Sequence, residues 1–325
     1  MSINGSGDIT PVTNNIAPQI NEIFVNNPKS DVILHSSDNI EFQFIKSLLS
    51  LSSSVFETMF ELPQSEGGAG NDGGNDLPVI PLTEDSKTLE QLLLFCYPMA
   101  AMGMPKLAIL EDVQAMLGAA IKYDMRGLEK HVRHVLVEPR FGEKDPMRVF
   151  AIACRYKLAE EIQEAAKYTL RLPILQRPYA AELEYITGGH IQRLQEYYGK
   201  CIAVAQAVGT TLHWLERWDF IWFQGTSHSA TCPAPSMNVI QVGSNHHYTP
   251  VRLWWWNYLQ STLSALVQRP CGEEVRRPDL RDAALRQACQ CSLCGSRAFQ
   301  EINQFIDLYA NEVDRVVSEV SIAPL

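Results

Sequence analysis

Several things are missing from this 325-residue chain, and each absence removes a class of protein. No basic segment followed by an apolar run opens it, so a secretory signal is not expected. No stretch approaches the roughly eighteen uninterrupted apolar residues of a membrane span. The greasiest segment, Leu253–Leu266, is broken by Asn257, Gln260, Ser261 and Thr262. Positive charge is in deficit: 27 Lys and Arg stand against 37 Asp and Glu, a net charge of -10. Such a balance repels phosphate backbones at long range, and nucleic acid is not expected as the main partner. Enzyme signatures are missing too. There is no phosphate-binding Gly-rich loop between strand and helix, no His-Glu-x-x-His, and Gly225–Ser229 lacks the second glycine of a nucleophile elbow. No period of twenty to fifty residues marks a repeat protein. The expectation is a non-enzymatic, non-membrane protein of the cytoplasm or nucleus. In that reducing setting its eight cysteines are thiols or metal ligands rather than disulfides.

With 46% hydrophobic residues the chain has ample material for a core. Residues 1–29 are rich in Asn, Ser, Gly and Pro and read as a flexible leader, with Ile20, Ile23, Phe24 and Val25 able to dock locally. From Asp31 a β-branched run, the turn Ser37-Asp38-Asn39 and the alternating Ile40-Glu41-Phe42-Gln43-Phe44 predict a hairpin with Ile40, Phe42 and Phe44 inward. The period then turns helical. Ser54 and Glu57 have capping-box spacing. Gln64–Asp76 predicts a mobile loop, and Leu77–Leu82 a short strand held to a sheet edge by its prolines. Leu89, Leu92, Leu93 and Cys96 fall at helical spacing, as do Val113, Met116, Leu117, Ala120 and Ile121. This order of elements makes an α+β domain over 30–137. Behind it the pattern is almost wholly helical, in a region 138–210 and a Trp- and Cys-rich region 211–325.

Asp31-Val32, Phe42, Lys46, Leu49, Ser53, Phe56 and Met59-Phe60 resemble the opening of a BTB/POZ domain. Leu92–Tyr97 and Leu117–Tyr123 are similar to two of its later helices. The likeness covers about 30–137. Ile45 and Pro98 stand where the family usually has His and Gly, and leave the hydrophobic pattern intact. In detail, with Glu84–Leu89 and Phe150–Leu172, the chain looks most like BTB proteins of basidiomycete fungi. The resemblance implies a fold, a BTB/POZ-like α+β domain followed by a mostly helical (BACK-like) region. It also implies a role: a protein-interaction module that homo- or hetero-oligomerises, with adaptor work for a cullin-type ubiquitin ligase as one known use. Asp31, Lys46, Phe56, Met59 and Phe60 are then interaction-domain motif residues with mainly structural duties.

One constellation carries chemistry of its own. Cys289-Gln290-Cys291-Ser292-Leu293-Cys294-Gly295 offers a Cys-x-x-Cys turn ending in glycine, the arrangement that points two thiolates at one metal. Zinc needs four ligands, and Cys232, Cys271, His228, His246 and His247 are available to complete a set. The predicted ligands are Cys291, Cys294, Cys289 and Cys232; the alternative is ordinary buried thiols. Bound zinc would suit a second kind of protein, a transcription-associated regulator with a structural metal site. The six tryptophans, all between Leu212 and Trp256, read as inter-helix core rather than a ligand groove. Trp254–Trp256 cannot all face one side of a helix. The C-terminal stripe Phe299, Ile302, Ile306, Tyr309, Val313, Val316, Val320 is expected to dock on the chain's own helices rather than form a coiled coil. Arg276, Arg277, Arg281 and Arg286 alternate with acids and read as a solvated face.

Overall fold

The computed structural model describes residues 20–62, 77–98, 103–173, 178–216, 219–224, 228, 232, 239–242 and 247–324. The loop expected over 64–76 therefore lies outside the described residues, as does most of the leader. Two compact units result, one ending at Val135 and one running from Leu136 to Leu325.

In the first unit the hairpin pairs β1 (Val32–His35) with β2 (Glu41–Phe44), in a register that sets Val32 against Phe44 and Leu34 against Phe42. Asn39 occupies the left-handed region at the turn (φ 64), a conformation Asn tolerates better than most side chains. Ser36 clamps the turn: its Oγ accepts from Ile40 N at 2.9 Å and donates to Ile40 O at 3.1 Å. β3 (Val79–Pro81) pairs in parallel with β1, so the order is β2-β1-β3 and the proline-bearing strand is at an edge. Period-two alternation puts Val32, Leu34, Phe42, Phe44 and Ile80 on the buried face, while Ile40 is only half-buried. The part of the leader that was expected only to dock is integral here. Asn21 caps a 3-10 turn, Glu22–Phe24, that drives Phe24 into full burial against Phe42, Phe44 and Tyr97 at 5.8–6.0 Å. Burying such a side chain contributes about 1.5–3 kcal/mol, so the turn is anchored.

Among the described residues this unit also holds helices α1 (Lys46–Ser52), α2 (Ser54–Glu61), α3 (Ser86–Cys96), α4 (Leu110–Lys122) and α5 (Arg126–Leu136). Leu89, Leu92, Leu93 and Cys96 are buried on α3, and Val113, Met116, Leu117 and Ala120 on α4; Ile121 points outward. The capping residue of α2 is Ser53, not Ser54. Ser53 Oγ accepts from Phe56 N at 3.1 Å and donates to Tyr123 O at 2.5 Å, whereas Ser54 Oγ donates to Asp124. Only Ser53 has the extended backbone an N-cap needs.

Among its described residues the second unit is built mainly of helices, with one two-stranded ribbon. After the single turn α6 (Pro139–Gly142), α7 (Pro146–Arg155) is apolar nearly all round and correspondingly buried, packed against α8 (Ala159–Thr169). The long helix α9 (Gly188–Thr210) starts at the Gly188-Gly189 pair, with Thr187 and His190 in a reciprocal capping box. β4 (Val239–Val242) and β5 (His247–Pro250) form the ribbon. Then come α10 (Leu253–Gln268), α11 (Gly272–Val275), α12 (Pro278–Ala288) and α13 (Ser292–Ser318).

The last helix docks on α9, α11 and α12, within the chain. Its buried stripe is Ile302, Phe305, Ile306, Tyr309, Val313 and Val317. Phe299, expected in that stripe, is 64% exposed; Phe305 is the aromatic that goes in. Near its middle α13 approaches α9 closely at Gly209, where a Cβ would collide with the Tyr309 hydroxyl.

Trp222 is the centre of the unit's aromatic core. It stacks on Phe220 (4.6 Å) and Trp255 (5.6 Å) and meets Trp254 and Phe305 edge-on (5.7 and 5.6 Å). The core reading of the tryptophans holds for these three, while Trp256 is half-buried and Trp218 lies outside the described residues. The arginine-rich stretch carries ion pairs, Arg277 with Glu274 and Asp279, Arg281 with Asp282, and of these acids Glu274 is buried rather than solvated.

Candidate functional site

The motif residues of the first unit turn out to be builders. Asp31 is exposed and its carboxylate accepts from Lys46 N at 2.6 Å, closing the start of α1, where the residue at the capping position, Ile45, has no side-chain acceptor. Lys46 Nζ lies over the Phe60 ring at 5.7 Å. Phe56 is fully buried, stacked on Tyr123 (4.7 Å) and Phe60 (6.0 Å), with Met59 and Phe60 half-buried beside it. Leu51 is 85% exposed beside a groove of about 340 Å³ lined by Leu94, Phe95, Met104, Met125 and Leu128 together with the polar Ser52 and His131. Beside β3, Glu84 accepts from Lys122 Nζ at 2.8 Å and from the Tyr123 hydroxyl at 2.5 Å. Burial pushes that carboxyl up, but the two donors outweigh it and hold Glu84 below the usual carboxylate range.

The second unit gathers His228, Cys232, Cys291 and Cys294, whose ligand atoms all lie within 4.8 Å of one another. Local structure explains the Cys-x-x-Cys half. α12 ends at Ala288, Cys291 takes the extended N-cap conformation of α13, and Gly295 N donates to Cys291 O at 2.8 Å. Cys291 and Cys294 thus sit at the N-terminus of a 27-residue helix, where the aligned peptide dipoles favour negative charge and hence thiolate. Both are buried, as is Cys232.

The expected set is corrected at one position. Cys289 is the C-cap of α12, its side chain is exposed, and it is not in the group. The fourth member is His228. Cys271, another candidate, caps α11 and is not in the group; His246 and the side chain of His247 lie outside the described residues.

Four of the six distances between the ligand atoms lie near the edges of a tetrahedron. Cys232 Sγ lies 3.6 Å from Cys294 Sγ. His228 Nδ1 lies 3.3 Å from Cys294 Sγ and 3.8 Å from the sulfurs of Cys232 and Cys291. Zinc bonds of about 2.3 Å to sulfur and 2.0–2.1 Å to nitrogen, set tetrahedrally, require edges of about 3.8 Å between sulfurs and about 3.6 Å from sulfur to nitrogen. Three sulfurs and one imidazole nitrogen form a closed donor set, the kind found in structural rather than catalytic zinc sites.

Without a cation the same pocket is costly for charge. Burial pushes the Cys294 thiol up to about 12, opposed by the Trp254 indole, and burial raises Cys232 as well, opposed in part by Cys294 and by Arg252. Arg252 was not singled out by sequence reasoning. Its signal was there: a lone arginine inside the apolar run Val251-Arg252-Leu253-Trp254.

An α+β unit with a large exposed apolar side chain beside an outward groove has the build of a protein-interaction domain. Residues 20–140 match the family model of the BTB/POZ domain, and that span is a BTB/POZ domain. The match starts ten residues earlier than the likeness read from sequence, taking in the anchored Phe24. No curated protein matches the chain. Among the described residues no helix is long and apolar enough to cross a membrane.

Proposed function

We propose that this chain is an oligomerising interaction protein. Its BTB/POZ domain joins a second copy, and the regions 138–210 and 211–325 form the surface that holds a client. The observation that supports this most is the domain match over residues 20–140, on a unit that leaves Leu51 85% exposed beside an outward groove. Covering apolar surface of that kind by another protein is favourable through the ordinary hydrophobic term. Sedimentation equilibrium at micromolar concentration tests it: a dimer or larger species is expected, and a strict monomer overturns self-association. Delivery of the client to a cullin-type ubiquitin ligase is the finer form of the reading. Co-purification with a cullin tests that separately.

A second reading concerns the C-terminal unit, and one observation favours it: the near-tetrahedral set His228, Cys232, Cys291 and Cys294. We propose that these residues bind one structural zinc ion, which joins the segment before β4 to the start of α13. Elemental analysis of purified chain should find zinc near one equivalent, and Cys291→Ser should abolish it. Stoichiometry near zero in unmutated protein would leave only buried thiols.

A further inference from the structure

Arg252 is a feature beside the cluster that a set of neutral thiols leaves unexplained. The residue is only 7% exposed. A buried guanidinium ordinarily has a carboxylate partner, because an uncompensated charge in a low-dielectric interior costs several kcal/mol. Among the described residues Arg252 has none. Its Nη1 donates to Cys232 O at 3.1 Å and its Nη2 to Gln224 O at 2.8 Å, both uncharged carbonyls. Its backbone N–H donates to Trp222 O at 3.1 Å, and its own carbonyl accepts from Trp255 and Trp256 at the head of α10. The side chain is therefore held at the carbonyls of Cys232 and Gln224, with its charge beside a member of the cluster.

Charge arithmetic gives the guanidinium a purpose, on the zinc reading above. A dication bound by three thiolates and a neutral imidazole carries a net charge of minus one. Cys291, Cys294 and Cys232 are buried, so that charge needs a neighbour of opposite sign. We infer that Arg252 is the built-in counter-cation of a metal centre with three thiolates and one imidazole, bringing the buried assembly to neutrality. Arg252 is a positioning and charge-balancing residue, not a ligand. The chemistry it selects is a soft, tetrahedral divalent ion in a sulfur-rich site.

The test separates charge from shape. Full-length chain is titrated with zinc against a chromophoric chelator, for the unmutated protein, Arg252→Lys, Arg252→Gln and, as a control outside the cluster, Cys289→Ser. Lysine keeps the charge but loses the two-pronged geometry; glutamine keeps a donor for a carbonyl but loses the charge. Removal of an outer partner of a metal site typically weakens binding about 10–100-fold, and that loss is expected for Arg252→Gln. Arg252→Lys should recover most of it, and Cys289→Ser should match the parent. Tryptophan fluorescence at saturating zinc checks that each variant is folded. If Arg252→Gln does not fold, the comparison of the parent with Arg252→Lys decides, since a tenfold loss with charge retained contradicts the inference. It is also overturned if Gln binds as tightly as Arg, or if Gln outperforms Lys. Absence of zinc binding by the parent itself would instead bring down the zinc reading on which the inference rests.

Discussion

Chelation of the metal should melt one unit of the protein and spare the other. All six tryptophans lie between residues 214 and 256, within the unit Leu136–Leu325, so tryptophan fluorescence reports that unit alone. A ligand that binds only the folded state stabilises it by RT ln(1 + [L]/Kd), about 4.1 kcal/mol when free zinc is 1,000 times its dissociation constant. For units of this size each kcal/mol moves the melting midpoint by about 2–4 °C. Stripping zinc with a strong chelator should therefore lower the fluorescence-detected midpoint by about 8–16 °C. The aromatic core gives the coupling a structural route, since Cys294 is next to Trp254 and Trp254 meets Trp222 edge-on at 5.7 Å. Cys294→Ser should begin near the low midpoint and ignore the chelator. A tryptophan transition at the same temperature with and without chelator, in protein shown by elemental analysis to have lost its metal, refutes the reasoning.

Three further predictions concern packing, capping and pH. Gly209→Ala gains about 1 kcal/mol of helix propensity, but its Cβ meets the Tyr309 hydroxyl and lies 2.9 Å from Leu263 Cδ2, and overpacking of this kind costs about 1–3 kcal/mol. Net destabilisation is expected in urea unfolding followed by tryptophan fluorescence. Tyr309→Phe should be neutral or stabilising alone, because that hydroxyl is buried with no partner among the described residues, and should soften the Gly209→Ala loss in the double variant. Ser53→Ala, which removes both the α2 cap and the bond to Tyr123 O, should cost about 1–2 kcal/mol by far-UV circular dichroism in urea. Glu84 is held below its ordinary value of 4.5 in the folded state, so its contribution is present above that pH and lost as acid protonates it. Glu84→Gln should flatten the stability–pH curve of the first unit below about pH 4.5 while lowering its plateau.

The hairpin, the edge strand and the helices of the first unit were legible because their signals are local. Alternation at Phe42 and Phe44 and the spacing of Leu89, Leu92 and Leu93 follow directly from strand and helix periods. What sequence reasoning missed depends on neighbours distant in the chain. Phe24 was read only as able to dock, since Asn21, Asn26, Asn27 and Pro28 around it set no period, and Phe42, Phe44 and Tyr97 draw it fully inward. Ser53 and Ser54 are equivalent as letters, and the backbone at Ser53 decides between them. Phe299 and Phe305 both fit a helical stripe, and the Trp222 cluster selects Phe305. Half of the His228, Cys232, Cys291 and Cys294 cluster was readable, since Cys291-Ser292-Leu293-Cys294 is a local pattern. The other half was one choice among several cysteines and histidines about sixty residues away, and no period marks which of them folds back.

That separation has a consequence for how the chain tolerates change. A metal held by Cys232 on one side and Cys291 on the other closes residues 233–290 into a covalent-and-coordinate ring. The entropy of ring closure grows only with the logarithm of length, about 0.6 kcal/mol per doubling. Insertions and deletions in exposed turns within the ring should thus be nearly free, and so should a proteolytic nick, whose two ends would stay clasped by the ion. The anchor points have no such latitude. Evolution can redraw what the ring encloses while its clasp stays put.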